Sequence, residues 1–548
     1  MNADQQTEEK SAFNDNVNGS TPNNSKQTDI SPNNAEHQPD TECDDNGGND
    51  VKDDQDVSRG EATPDDSDAK KGTDGDEDDQ YSVSWGDQPD ENPMNWTMGK
   101  KWRIIGTLSV LSLLTPLASS MMAPAVPDIL QQFEVHNDQY GTFCVSVFVL
   151  GFAFGPPVIA PLSELYGRTI VYHVCNSLFV LFTIGCALSN SIGMLVAFRF
   201  LAGFAGVSVI TIGGGTIADM VPPEQRGKSM AAWSVGPLIG PVIGPVCAGF
   251  LVEAKGWRWV FWVIAIAAGA VTAVSFFVFR ETYAPVLLER KAAKIRKETG
   301  DPNYYSKLRV EGTRSQVITS SMLKPIRLLL TEPIVTCLCV YIAIIYGVLY
   351  ILFTTFTFVF EETYGFSARG AGLSFIAGGV GNLLGLVFAS SMSDRIVQRR
   401  KASGSPPVPE DRLSLILTVP SALMLPAGLL LYGWAADKHV HWIVPMLGTS
   451  IMGFGMMGIF MAAQIYLIDA FTRHAASVTA ANAVLRSILG AVLPLCGLNL
   501  YNKLGLGWGN TLLAGIELLL APVPWILAVR GAQIRNWKSN RNKETVAA

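Results

Sequence analysis

The chain is 548 residues long, with a net charge of −7 and a mean hydropathy of +0.24. These totals conceal two unlike parts, because residues 1–91 hold 26 Asp and Glu against 6 Lys and Arg, while the rest of the chain holds 22 against 35. The long apolar stretches of the basic part exclude an ordinary acidic soluble protein, and the eight cysteines, seven of them inside those stretches, imply no disulfide framework.

Residues 1–91 are rich in Asn, Asp, Gly, Ser and Gln and nearly devoid of aliphatic runs. Such a segment cannot bury enough apolar surface to offset the entropy of ordering, so a disordered acidic tail is expected. The first apolar run begins about a hundred residues in and no small-residue cleavage site follows it. The first apolar span is therefore expected to act as the insertion signal.

A bilayer core of ~30 Å needs about 20 helical residues to cross it. Twelve stretches meet that length: 104–123, 140–161, 170–188, 194–218, 230–252, 260–279, 334–358, 371–392, 413–434, 443–467, 478–500 and 511–529. Six precede a long hydrophilic segment and six follow it, which predicts an all-α membrane protein of twelve transmembrane helices, in two six-helix bundles around a central cavity. The corresponding domains are the tail at 1–91, a first bundle at 92–280, a linker at 281–331, a second bundle at 332–530 and a C-terminal tail at 531–548.

Orientation follows from the loops that hold Lys and Arg, which stay on the cytoplasmic side. Segment 280–331 carries Arg280, Arg290, Lys291, Lys294, Arg296, Lys297 and further basic residues, and loop 392–412 adds Arg395, Arg399, Arg400, Lys401 and Arg412, whereas the opposite loops are nearly free of them. Both termini and the linker are expected in the cytoplasm. Within the linker, Pro285 to Gly300 reads as a basic amphipathic helix with Leu287, Leu288 and Ile295 on its apolar face. It would lie on the anionic inner leaflet as a spacer or serve as a gating element.

Three groups of residues carry motif-like chemistry. The turn after the second span reads Pro161-Leu162-Ser163-Glu164-Leu165-Tyr166-Gly167-Arg168, and the turn after the eighth has Ser393-Asp394-Arg395, an acidic residue at the same place in each half. Glu164 and Arg168 are four residues apart, so each can reach the other or a neighbouring helix end. In the fourth span stands Arg199-Phe200-Leu201-Ala202-Gly203. In the fifth, Gly236, Gly240 and Gly244 form a smooth strip for close helix approach, while Pro237, Pro241 and Pro245 each remove a backbone donor and bend the helix. The strip is either a hinge or seal against leakage, or a tight packing face.

At these residues the chain resembles the major facilitator superfamily, and more narrowly its fungal twelve-span drug:proton antiporters. The turn LSELYGR is similar to that family's loop motif, with Ala160, Leu165 and Thr169 as departures. The Arg199 segment is similar to its Arg-x-x-Gln-Gly element, with Ala202 in place of Gln, and the Gly-Pro repeat looks like its antiporter motif. The resemblance runs from about residue 92 to the C-terminus. It implies alternating access, a latch at Glu164, Gly167 and Arg168, and proton coupling, although the first span has Ala118-Ser119-Ser120 where related antiporters commonly place an acid.

Charges inside apolar spans cost about 2.5–3.5 kcal/mol or more and tend to face a cavity or a partner. Arg199, Arg486 and Glu517 are such charges and are candidates for proton coupling or substrate contact, unless the arginines snorkel to the headgroups. Met121, Met122, Asn382 and Gln464, with Asn176, Tyr346 and Phe356, are candidates for the cavity lining, where Met and aromatic surfaces accommodate varied apolar shapes.

The expected function is export of a small amphiphilic organic compound, such as a drug, toxin or secondary metabolite, by proton antiport in the plasma membrane. A polyamine or other small-solute transporter is one alternative and a non-transporting sensor on a transporter scaffold is another. An enzyme is not expected, because no phosphate-binding Gly-rich loop, HExxH or nucleophile-base pair is present. The expected partners are a small-molecule substrate, protons and the lipid bilayer, with no cofactor, metal or nucleic acid and a monomeric state.

Overall fold

A computed structural model of the protein describes residues 81–85, 91–308, 314–406 and 408–547. The disordered tail expected over 1–91 thus lies almost wholly outside the described residues. Lipid offers no hydrogen-bond partners, so a chain that crosses it must bond its backbone within each segment, and the helix does this. Among the described residues, twelve helices are long and apolar enough to cross a membrane: Met98–Gln132, Gln139–Tyr166, Arg168–Ala187, Ile192–Met220, Gln225–Lys255, Arg258–Val278, Pro333–Tyr364, Ala368–Ala402, Pro409–Asp437, Ile443–Ala470, Ala475–Val492 and Pro494–Arg535. They are numbered below as spans one to twelve.

The boundary between the last two spans falls at Gly505, inside the gap from 500 to 511 that the sequence leaves between them. One helical run, Pro494–Leu520, is broken at Gly505, whose φ of 77° and ψ of 169° lie outside the helical region and suit glycine alone. Leu493, in contrast, keeps helical angles of −60° and −37°. The eleventh span therefore runs from Ala475 through Pro494 to the break, and the twelfth starts after Gly505.

Apolar cores divide the spans into two bundles. One core joins the first six spans, from Ile104 and Leu108 to Phe261 and Ala268. Two others fill the last six, one around Phe356, Leu425 and Met456 and one around Leu338, Leu417 and Tyr466. Small residues set the helix spacing, since a methyl group on Gly203 would strike the Phe148 carbonyl and one on Gly381 would strike that of Ser450. The bundles meet at the end remote from the linker, where Arg369 pairs with Glu253 at 3.3 Å and the Ser119 and Tyr350 hydroxyls lie 3.3 Å apart.

The linker contains the expected amphipathic helix, Ala284–Thr299, closed by Gly300 at φ 74° with Leu288 and Ala292 buried. A second helix, Arg314–Thr331, follows it, which the sequence reading had left as part of an undivided linker. Residues 81–85 belong to this side as well. Ser82–Val83 pairs in parallel with Tyr305–Ser306, the rings of Tyr81 and Tyr304 meet at 5.4 Å, and Lys291 Nζ lies 3.1 Å from Glu91 Oε2.

Close packing at the glycine contacts has a direct consequence. Gly203→Val is expected to destabilise the first bundle by about 1–3 kcal/mol through overpacking, read as a lower melting temperature in detergent. Gly99→Ala, where an added methyl meets nothing within 4 Å, should leave that temperature unchanged.

Candidate functional site

The turn between the second and third spans is built around Gly167. Its φ of 99° and ψ of 155° suit glycine, and a methyl group there would strike the Glu281 carboxylate. Gly167 precedes the third span and has no side chain to cap it. Glu281, which lies at the start of the linker, supplies the cap instead, accepting hydrogen bonds from the backbone N–H of Arg168 at 2.9 Å and Thr169 at 3.2 Å. Arg168 is buried and donates through Nε to Asp219 at 3.2 Å and through Nη1 to Ser163 at 2.6 Å, with its guanidinium 4.6 Å from the Tyr283 ring centroid. Of the two partners that its spacing allowed, Arg168 takes the neighbouring helix end; Glu164 is exposed.

The second half repeats this arrangement. Arg412 donates through Nε to Asp469 at 2.9 Å and through Nη1 to Ser393 at 2.9 Å. Asp219 and Asp469 close the fourth and tenth spans, and Ser163 and Ser393 stand near the ends of the second and eighth, so the same three-part contact ties corresponding helices in each bundle. The sequence pairs Glu164 with Asp394 and shows Arg412 as a loop cation, but it does not single out Asp219, Glu281, Arg412 or Asp469 as site residues. The Ser-acid spacing in the two turns signalled a repeat; which distant carboxylate closes each contact depends on helix packing.

The fifth-span glycines face the first span. Methyl groups on Gly236 and Gly240 would meet Ser112 Oγ at 2.5 Å and the Leu113 carbonyl at 3.0 Å, and one on Gly244 would strike Ser120. The Trp233 carbonyl, whose helical partner Pro237 removes, accepts from Ser112 Oγ at 3.1 Å. Pro241 lines a cavity, and Pro245 faces the eighth span, its carbonyl 2.5 Å from where a methyl on Gly372 would stand. The strip is therefore a packing face on one side, while the opposite side of the same helix meets the second bundle.

Arg199 does not snorkel. It is 1% exposed and its guanidinium donates to the carbonyls of Ala118 at 2.7 Å, Ser119 and Cys144 at 3.2 Å and Val145 at 3.4 Å, and it stacks 4.6 Å from the Phe148 ring. The side chain thereby ties the fourth span to the first and second. Met121 and Met122 are each 1% exposed within the first core, and Asn176 is buried with Nδ2 unpartnered among the described residues.

A cavity lies between the bundles, lined by Pro241 and Val242 from the fifth span, Phe353 and Phe356 from the seventh, Phe375 and Asn382 from the eighth, and Met452 from the tenth. Asn382 Oδ1 has no hydrogen-bond partner there. Asn382 and Phe356 are cavity residues that the sequence picked out; Phe353, Phe375 and Met452 were lost among many similar apolar residues. Gln464 instead joins a polar chain between spans ten and eleven, accepting from Asn482 Nδ2 at 2.7 Å and donating to Thr479 Oγ1 at 3.2 Å. Arg486 lies one turn from Asn482, its guanidinium 4.7 Å from the Tyr346 ring centroid and 5.3 Å from that of Phe460. Glu517 is 1% exposed in the twelfth span, and neither carboxyl oxygen has a partner among the described residues.

Arg199→Ala removes charge-assisted hydrogen bonds of roughly 1.5–3 kcal/mol each from three helices, offset in part by relief of the buried charge. Its melting temperature in detergent should fall by at least a few degrees, and Arg199→Lys, with fewer donors, should fall between it and the parent.

Comparison with known proteins agrees with this architecture. Among solved structures, a D-xylose-proton symporter superposes with a TM-score of 0.60 at 16% identity, covering 78% of this chain and 98% of the other. A bacterial homologue of the human lysosomal transporter Spinster, in an inward-facing and unoccupied conformation, gives 0.56 at 14% identity over 79% and 98%. At that identity the likeness concerns the fold. In sequence, the MFS-type transporter penM of Penicillium rubens is 50% identical over 455 residues, covering 83% of this chain and 89% of the relative. The efflux pump radE of Floropilus chiversii is 46% identical over 458 residues, with 83% and 85% covered. Residues 108–494 match the sequence profile of the Major Facilitator Superfamily. With twelve membrane-crossing helices in two bundles, a cavity between them, and relatives that are themselves transporters, the chain belongs to the major facilitator superfamily and is a multi-pass membrane transporter rather than an enzyme.

Proposed function

We propose that this protein exports small amphiphilic organic compounds, such as drugs, toxins or secondary metabolites, by alternating access in exchange for protons. The observation that carries the reading is the cavity between the bundles, whose described lining is aromatic and aliphatic, with Asn382 and Thr449 as its polar groups and no acidic residue. Such a surface suits a body with much apolar area and few fixed charges. A polyamine would need carboxylates in that lining, so the amphiphile is the better match. The name of the radE relative, an efflux pump, supports outward transport.

Glu517 supports the proton half of the exchange. It is a buried carboxyl in the twelfth span with both oxygens free of hydrogen-bond partners among the described residues. Membrane-embedded ionisable groups of this kind mark proton relays, and Glu517 would load and release a proton as the bundles rock. The paired contacts of Arg168 with Asp219 and of Arg412 with Asp469 would hold the helix ends rigid within each bundle during that motion. Both termini lie in the cytoplasm, as the charge distribution of the loops favours, and the protein acts as a monomer in the plasma membrane, the boundary an exporter must clear. The tail over 1–91 and the C-terminal segment 531–548 then lie on the cytoplasmic face together with the linker.

In vesicles reconstituted with the full chain, an imposed pH gradient should drive accumulation of at least one member of a panel of neutral, anionic and cationic aromatic amphiphiles. Glu517→Gln should lower that gradient-driven rate by at least about tenfold while still exchanging labelled for unlabelled compound. Failure of the parent protein to move any of the panel would overturn the exporter reading, and a Glu517→Gln variant that responds fully to the gradient would remove this residue from the proton path.

A further inference from the structure

The two arginines inside the spans are treated very differently by their surroundings, Arg199 being buried and Arg486 half-buried. Arg199 spends its donors on four backbone carbonyls. Arg486 has no such set: its Nε is buried without a hydrogen-bond partner, and among the described residues no carboxylate lies within ion-pair distance of it. Glu517 is not its counter-ion, because both oxygens of that carboxyl also lack partners. What surrounds the guanidinium is aromatic, with Tyr346 on one side and Phe460 on another.

Two further features converge on this cation. On the linker side, the hydrogen-bonded chain Thr479, Gln464 and Asn482 leads up to it, and Asn482 Oδ1 is buried and unpartnered. On the other side, rings run in sequence from Tyr346 to Tyr350 at 5.1 Å, to Phe353 at 5.6 Å and to Phe375 at 5.5 Å. Phe353 and Phe375 line the cavity between the bundles. A guanidinium in an apolar setting thus stands at one end of an aromatic path whose other end is the apolar cavity.

We infer that Arg486 is the head-group site of the transport cavity and selects amphiphiles with an anionic group, such as a carboxylate or an ionised phenol or enol, whose apolar body lies along the aromatic path. A cation held between ring faces without an acid is short of one interaction, a negative charge accepting its N–H donors, and a substrate anion supplies it. The anion gains in turn, since an arginine at this depth offers a counter-charge that lipid does not. Asn482, one turn away on the same helix face, offers an unpartnered acceptor, Oδ1, that suits a neutral hydroxyl of the substrate rather than its anion. This inference rests on the exporter reading for the role of the cavity, and it adds the charge of the substrate.

The test uses three probes that share one aromatic body: pyrenebutyrate, pyrenebutanol and pyrenebutyltrimethylammonium. Equilibrium binding to the full chain in nanodiscs is read by energy transfer from tryptophan, with protein-free nanodiscs subtracted. Pyrenebutyrate should bind about tenfold or more tightly than either relative. Arg486→Gln should abolish that preference, and Arg486→Lys, which keeps the charge, should retain part of it. Equal binding of the three probes by the parent, or a preference unchanged in Arg486→Gln, would overturn the inference. Retention of part of the preference by Arg486→Lys separates loss of charge from loss of fold. The two readings fail separately: pH-driven transport of the neutral or cationic probe without anion preference leaves the exporter standing and removes the head-group role, whereas anion-selective binding with no gradient-driven transport supports the site and sinks proton-coupled export.

Discussion

The constraint on which this structure depends is that a polar group inside the membrane must find its partner within the protein. Arg199 meets it by bonding to carbonyls of the first and second spans, so that a charge which would be unfavourable on an isolated helix becomes the tie among three. The Trp233 carbonyl meets it through Ser112 of the first span, which allows Pro237 to stand inside the fifth. In each case a local irregularity specifies which helix must lie alongside. The bundle is held by such complementary defects as well as by apolar packing, because lipid is as apolar as the side chains and provides little drive for helices to associate.

The same rule distinguishes groups that build the scaffold from groups available to a ligand. Arg168, Arg199 and Arg412 are saturated by carboxylates, hydroxyls and carbonyls, and each connects helices. Arg486 Nε, Glu517 and Asn382 Oδ1 are not saturated. These three groups lie in spans eight, eleven and twelve, all in the second bundle. Anchoring by Arg199 belongs to the first bundle, which also holds buried polar atoms without partners among the described residues, Asn176 Nδ2 among them.

A repeated architecture is visible in the paired contacts at the helix ends. Arg168 with Ser163 and Asp219, and Arg412 with Ser393 and Asp469, use the same atoms and nearly the same distances in the two halves. The arginines do not occupy matching positions relative to the turns: Arg168 starts the third span, whereas Arg412 follows a longer loop after the eighth. The contact is preserved while the route of the chain to it differs, and a simple search for repeated spacing therefore finds the serine and the acid but not the arginine.

The number and approximate position of the helices were legible in the sequence because crossing a membrane requires a minimum length of apolar chain, and that length is a local property. The Gly-Pro pattern of the fifth span was legible as a close-packing strip for the same reason. The break between the eleventh and twelfth spans was legible as well, because Tyr501-Asn502-Lys503 interrupts the apolar run just before Gly505, which breaks the helix by its backbone angles. What only the tertiary structure decided was partnership: that Arg199 faces carbonyls rather than headgroups, that Glu281 caps a helix from a distant linker, and that Arg486 lies against two rings and, among the described residues, meets no acid. Burial and spacing along one helix depend on neighbours in sequence, whereas saturation of a buried charge depends on which other helices arrive beside it.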